Sequence, residues 1–130
     1  MILVDTSSLV SPPAQWPLPV LGSSVLCLAE LRFGVHSAPD AATRAARVKN
    51  LARYRNLEWI PFEESDAESY AILASRVATQ RPAHARSKDL MIAAQALTLG
   101  VPLLTRNVKD FALVLDLVEI LDGNDPAPSP

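Results

Sequence analysis

Four carboxylates stand out because each interrupts or adjoins residues that belong in a core. Asp5 ends the apolar run Met1-Ile2-Leu3-Val4, and Glu30 breaks the run Val25-Leu26-Cys27-Leu28-Ala29 before Leu31. Asp89 opens the small and apolar stretch Leu90 to Leu97, and Asp110 lies just beyond Leu103-Leu104-Thr105. A carboxylate among buried residues is costly unless paired or bound to a cation. Each acid has a plain reading of its own. Asp5 would be a turn residue, Glu30 a solvent-facing partner of Arg32 or Arg55, Asp89 a first-turn acid, and Asp110 part of a surface helix. Together they suggest more. Like carboxylates brought to one place repel, and a hard divalent cation relieves that repulsion. Oxygen ligands select Mg²⁺ or Mn²⁺ over zinc, and Cys27, His36 and His84 lack zinc-site spacing. Such a site can activate water and stabilise in-line displacement at phosphorus.

The elements that must position these acids alternate between strand and helix. Met1 to Val4 is apolar without alternation, as in a central parallel strand covered on both faces. Four prolines at positions 12, 13, 17 and 19 forbid a regular helix there. Leu18 to Gly22 reads as a short second strand, and Ser24 as the cap of a helix from Val25 to about Val35. Asp40 caps a helix from Ala41 to about Tyr54 that carries Arg44, Arg47, Lys49 and Arg53, more often a solvated face than a nucleic-acid platform. Glu58 to Phe62 reads as an edge strand, and residues 64 or 65 to 79 as a helix with Ala67, Tyr70, Ala71, Ala74 and Val77 at helical spacing. Gln80 to Arg86 is a loop; Arg81, His84, Arg86 and Lys88 make a second positive patch. Ser87 caps the central helix, Gly100 stops it, and Pro102 begins a strand. Val108 to Leu113 reads as a short helix, and Leu117 to Ile120 as the last strand. This alternation indicates an α/β fold with a parallel sheet, whose ligands bind beyond the carboxyl ends of the strands.

Composition bounds the rest. A chain of 130 residues, 49% hydrophobic and 20% charged, is one domain with a sizeable core. The formal net charge of −2 argues against a general basic coat but allows a local positive face. The single cysteine, Cys27, suggests a buried reduced thiol in a cytosolic protein. Asp5 cuts the opening apolar run too early for a signal peptide or membrane span. The domain is expected to cover 1–121, and Asp122 to Pro130 to be a disordered proline-rich tail.

Four stretches stand in order along the chain: Met1-Ile-Leu-Val-Asp5-Thr6-Ser7, Leu28-Ala29-Glu30-Leu31-Arg32-Phe33-Gly34-Val35, Asp89-Leu90-Met91-Ile92-Ala93-Ala94-Gln95-Ala96 and Leu104-Thr105-Arg106-Asn107-Val108-Lys109-Asp110-Phe111. Together they resemble the PIN domain, and more closely the VapC-type toxins of bacterial toxin–antitoxin pairs. The resemblance implies a three-layer α/β/α fold with a central, mainly parallel sheet. It also implies an Mg²⁺-dependent endoribonuclease, with Mn²⁺ as substitute, that cuts tRNA, rRNA or mRNA and so inhibits translation. By the same resemblance Asp5, Glu30, Asp89 and Asp110 are the acids of the site, with Asp5, Asp89 and Asp110 on metal. Thr6, Ser7, Thr105 and Asn107 support them by hydrogen bonds, and Arg86, Lys88 and Arg106 steer the RNA backbone. Implied partners are RNA, a small VapB-type antitoxin and a second copy of the chain, in the cytoplasm. The chain departs from the pattern between Asp5 and Glu30, where a proline-rich bridge replaces the helices that help form the antitoxin groove.

Two other readings compete. One is a PIN-like protein that binds RNA or an antitoxin without cutting, favoured by the shortened front. The other is a phosphoryl-handling domain of the receiver or haloacid-dehalogenase-like kind. Against it, Ser7 stands where the second Asp of an Asp-x-Asp motif is required, and no acidic pair adjoins the first strand.

Overall fold

The computed structural model describes residues 1–17 and 22–124. Five short strands, β1 (Leu3–Val4), β2 (Gly22–Ser24), β3 (Glu58–Ile60), β4 (Leu103–Thr105) and β5 (Ile120–Asp122), form one sheet in the order β3-β2-β1-β4-β5. Every pairing is parallel. Five helices connect them: α1 (Thr6–Val10), α2 (Val25–His36), α3 (Ala41–Ala52), α4 (Glu64–Ala78) and α5 (Lys88–Leu99). Helices and sheet make three layers, the α/β fold expected from the alternating pattern.

β1 is the central strand, and its Leu3 and Val4 are fully buried, as a run without polar alternation requires. From β1 the chain builds outward through β2 and β3, then returns to β4 on the other side of β1. The order of strands therefore reverses at β1 and β4, the place where open α/β sheets bind ligands.

Local signals explain the helix ends. Ser24 Oγ accepts from the Leu26 amide at 3.0 Å, and Ser87 Oγ from the Leu90 amide at 3.2 Å, each relieving a first-turn donor. α5 ends at Gly100, whose φ of 68° lies in the left-handed region that a side chain disfavours. Its Leu90, Ile92, Ala93, Ala94, Gln95 and Ala96 are all buried, so the helix is covered nearly all round. Gln95 is the polar exception: its Nε2 donates to the carbonyls of Ile60 and Pro61, both at 3.1 Å, tying α5 to the edge strand.

Several boundaries differ from the sequence reading. The second strand is Gly22–Ser24, because those residues pair with Leu3 and Val4. Residues 18–21, which were expected to start it, lie outside the described residues. The last strand is Ile120–Asp122 rather than Leu117 to Ile120. Leu117 and Val118 instead donate their amides to the Val114 carbonyl, closing a turn after a 3₁₀ helix over Val108–Val114. Ordered structure consequently continues through Asn124, so the first residues of the expected tail belong to the fold. The remainder of that tail, 125–130, lies outside the described residues. The loop after α4 contains a 3₁₀ turn at Pro82–His84.

The front of the chain also holds a helix. Asp5 caps α1, whose five residues end before Pro12. Its Leu9 carbonyl accepts from Tyr54 Oη at 2.7 Å and Asn50 Nδ2 at 3.3 Å, and the Trp16 ring sits edge-on to Tyr54 at 6.5 Å. The proline-rich bridge is thus anchored on the end of α3. The basic face of α3 has structural work: Arg47 Nη1 donates to the Gly34 carbonyl at 2.7 Å and Arg44 Nε to Val35 at 3.3 Å, satisfying open carbonyls at the end of α2.

Candidate active site

The carboxyl ends of β1 and β4 meet at Asp5 and Thr105, a hundred positions apart in sequence. Asp5 is 3% exposed, and both its oxygens are held. Ser7 Oγ donates to Oδ1 at 2.6 Å, the Ser8 amide reaches the same oxygen at 3.4 Å, and Thr105 Oγ1 donates to Oδ2 at 2.7 Å. Ser7 Oγ in turn accepts from the Arg106 amide at 3.0 Å, and Thr105 Oγ1 from the Asn107 amide at 3.0 Å. Removal from water pushes the Asp5 carboxyl above its ordinary value, and these hydrogen bonds oppose the shift.

Asp89, half-buried in the first turn of α5, also has a raised pKa. Burial contributes most, followed by repulsion from Asp5, then Asp110, then Glu30; Lys88 acts in the opposite sense. The Asp89 carboxyl thus feels the negative charge of Asp5, Asp110 and Glu30. Glu30 Oε1 accepts from Thr6 Oγ1 at 3.1 Å, and Lys88 Nζ lies 3.8 Å from Oε2. Its cationic neighbour is therefore Lys88, not Arg32 or Arg55. Asp110 projects from the 3₁₀ helix and is exposed. Cys27 is fully buried beneath this region. Burial pushes its thiol up, hydrogen bonding to Ser23 and Thr6 opposes this, and the negative field of Asp5 and Glu30 adds to the rise. It is held as an inert thiol.

The remaining predicted residues fall around this centre with different duties. Asn107 is exposed and contributes its backbone amide to Thr105. Arg106 spends Nη1 on the Ser11 carbonyl at 3.1 Å, which fastens the loop after β4 to the end of α1. Arg86 and Lys88 are exposed at the entry to α5. Sequence reasoning missed the capping of α1 by Asp5 and the contacts of Gly123 and Asn124 with the loop after β4. The Asp122-Gly123 pair is a turn signal that could have shown the second.

The donor set fits a hard divalent cation in its chemistry: oxygen atoms only, excess negative charge, and raised carboxyl pKa values that a cation would lower. It is not a closed cage, since among the described residues no three His, Cys, Asp or Glu side chains form a metal-holding group. Mg²⁺ is commonly held by one or two carboxylates with water and phosphate supplying the rest, and the arrangement suits that mode.

A parallel sheet that reverses its strand order at a buried, hydroxyl-braced aspartate, with three more acids around it, defines a class. The PIN domain family model matches residues 2–114, and the chain belongs to that family. Within it the chain resembles the VapC branch. It is 34% identical over 92 residues to Ribonuclease VapC5 of Mycobacterium tuberculosis, covering 71% of this chain and 67% of the relative. Against Ribonuclease VapC4 of the same organism it is 36% identical over 104 residues, covering 77% and 75%. The solved VapBC-5 toxin–antitoxin structure from M. tuberculosis superposes with a TM-score of 0.78 at 28% identity, covering 95% of this chain and 97% of that one. FitAcB from Neisseria gonorrhoeae gives 0.70 at 25% identity, covering 95% and 98%. No described helix is long and apolar enough to cross a membrane.

Proposed function

We propose that this protein is a divalent-metal-dependent endoribonuclease, the toxin of a toxin–antitoxin pair, that hydrolyses phosphodiester bonds in cellular RNA and so blocks translation. The observation that carries the proposal is the buried Asp5, fixed on both oxygens by Ser7 and Thr105 and surrounded by Asp89, Glu30 and Asp110. Its relation to the VapC ribonucleases supports the same reading.

Asp5 and Asp89 would hold Mg²⁺, or Mn²⁺ in its place, and Asp110 would bind a second ion or orient the attacking water. A bound ion supplies charge neutralisation at phosphorus and a more acidic water. Asp5 is held in one orientation by its hydroxyl partners, so its reorganisation cost during reaction is small. Glu30, steadied by Thr6, orients the attacking water and accepts its proton. Lys88, with Arg86 and Arg106, offers positive charge to the RNA backbone at the mouth of the site. Thr6 and Glu30 also form one end of a groove of about 690 Å³ between α1, α2 and α3. Phe33 and Val10 are exposed there, 72% and 58% respectively. In this reading an apolar segment of a small VapB-type antitoxin would lie in this groove and cover Glu30, in a homodimeric toxin of the cytoplasm.

Purified protein incubated with total cellular RNA should yield discrete fragments with Mg²⁺ and none with EDTA or with Asp89→Asn. Intact RNA in all three reactions, from folded protein and with Mn²⁺ also tried, would overturn the nuclease reading. The second reading, a PIN-fold protein that binds RNA or antitoxin without cutting, is favoured by the shortened, proline-rich front between Asp5 and Glu30. It would then be supported by RNA or antitoxin binding that persists in EDTA.

A further inference from the structure

The two hydroxyls that hold Asp5 flank a short irregular loop, Thr105 at the end of β4 where it begins and Ser7 in α1 where its Arg106 amide rests, and something must hold the loop. Thr105 ends β4, and Arg106 and Asn107 follow it before the 3₁₀ helix that carries Asp110. On one side the loop rests on α1, through the Arg106 amide on Ser7 Oγ and Arg106 Nη1 on the Ser11 carbonyl. On the other side lies the turn after β5. The Gly123 amide donates to the Thr105 carbonyl at 2.7 Å, and Asn124 Nδ2 donates to the Arg106 carbonyl at 3.0 Å. Asp122 Oδ1 sets the Asn124 side chain by accepting from both its amide nitrogen, at 2.9 Å, and its Nδ2, at 2.8 Å. The approach is tight: a Cβ on Gly123 would stand 2.6 Å from Ser8 Oγ and 3.2 Å from Arg106 Cγ.

From this we infer that Asp122, Gly123 and Asn124 form a positioning turn for the acidic site, with Asn124 the residue that fixes the Arg106 peptide. Two successive peptides are gripped: Thr105–Arg106, its N–H by Ser7 and its carbonyl by the Gly123 amide, and Arg106–Asn107, its carbonyl by Asn124. Peptides held in this way present Thr105 and Ser7 to Asp5 in one geometry and set where Asp110 begins. Without Asn124 the Arg106 carbonyl loses its partner, the loop gains freedom, and the hydroxyls no longer dwell on Asp5. Asn124 touches neither RNA nor metal in this scheme; it acts through Arg106 and Ser7.

The consequence for cleavage rests on the nuclease reading, but the consequence for the loop does not, so two readouts are taken. Hydrogen exchange followed by NMR reports the loop. Asn124→Ala should raise the exchange rates of the Arg106 and Gly123 amides at least tenfold and leave Asp5, whose amide pairs with Leu104, unchanged. Unchanged rates at Arg106 and Gly123 would overturn the inference whether or not the protein cuts RNA. Cleavage kinetics and Mn²⁺ titration report the site. Asn124→Ala should lower kcat about tenfold and weaken Mn²⁺ binding severalfold, with KM for RNA within twofold. Asp116→Ala, which breaks an exposed ion pair with Arg76, should change none of these. Asn124→Asp keeps the side-chain shape but cannot donate, and should match Asn124→Ala. Wild-type behaviour of Asn124→Asp would show that the donated bond is not what positions the loop. Loosened amides in a protein that neither binds Mn²⁺ nor cuts RNA would uphold the turn and reject the nuclease.

Discussion

Asp5 and Asp89 differ in how the protein treats their charge, and substitution should separate them. Asp5 accepts hydrogen bonds on both oxygens, so Asp5→Asn replaces one acceptor by an amide facing a hydroxyl donor. It should abolish cleavage and lower stability by about 1–3 kcal/mol, the usual cost of a mismatched buried polar group, read from urea denaturation. Among the described residues Asp89 has no comparable brace, and its carboxyl is raised chiefly by burial and by its acidic neighbours. A group whose folded pKa lies above its unfolded value favours the fold when protonated. The metal-free protein should therefore lose stability as pH rises from the ordinary carboxylate value, 3.8, through the raised one. Asp89→Asn removes that penalty. It should raise the melting temperature of metal-free protein at neutral pH, by a gain under about 1 kcal/mol because the group is half-exposed and screened, while ending cleavage. A melting temperature lowered by Asp89→Asn would contradict the assigned repulsion. The acids themselves were readable from the sequence, since a carboxylate inside an apolar run is conspicuous. Their braces were less so: a serine or threonine after a strand has many uses, and only the fold brings Ser7 to Thr105.

Among the elements, α5 carries the clearest cost for a single change. Gln95 is fully buried and supplies both bonds that join α5 to the end of β3. Gln95→Leu keeps the volume but strips the Ile60 and Pro61 carbonyls of their donor, and should destabilise by about 1–3 kcal/mol in equilibrium unfolding. A neutral result would show that water replaces the amide. The glycine stop and serine cap of α5 were legible because both depend on local backbone demands. The true position of β5 was not. Leu117, Val118 and Ile120 are equally apolar, and what moves the strand to Ile120–Asp122 is the turn closed on the Val114 carbonyl, which composition does not encode. The basic face of α3 read as a solvated face in the sequence, and what the sequence did not show is that Arg44 and Arg47 serve the open carbonyls of α2. Arg44→Ala combined with Arg47→Ala should leave RNA cleavage within about twofold, since backbone contacts carry affinity only where they meet phosphate.

At the scale of the molecule, net charge and topology set the remaining expectations. With a formal charge of −2, and with Arg86, Lys88 and Arg106 as the cations assigned to the RNA backbone, RNA binding should respond weakly to salt. Log affinity against log salt should fall with a slope of about −2 to −3, corresponding to a few neutralised phosphates. A slope near −8 would point to a wider basic platform. The α/β class and the parallel sheet were legible throughout, because strand and helix periods alternate along the whole chain. The order of strands was not, since it depends on long-range pairings that no local pattern records. That order has a consequence for how the protein is made. The central strand is made before its neighbour β4, and Thr105 follows Asp5 by a hundred positions. At elongation rates of about 5–20 residues per second, Asp5 waits seconds for the hydroxyl that holds it. Contacts so distant in sequence also form late in folding. On the nuclease reading proposed above, the acidic site is thus unbraced, and cleavage withheld, until nearly all of the domain has emerged.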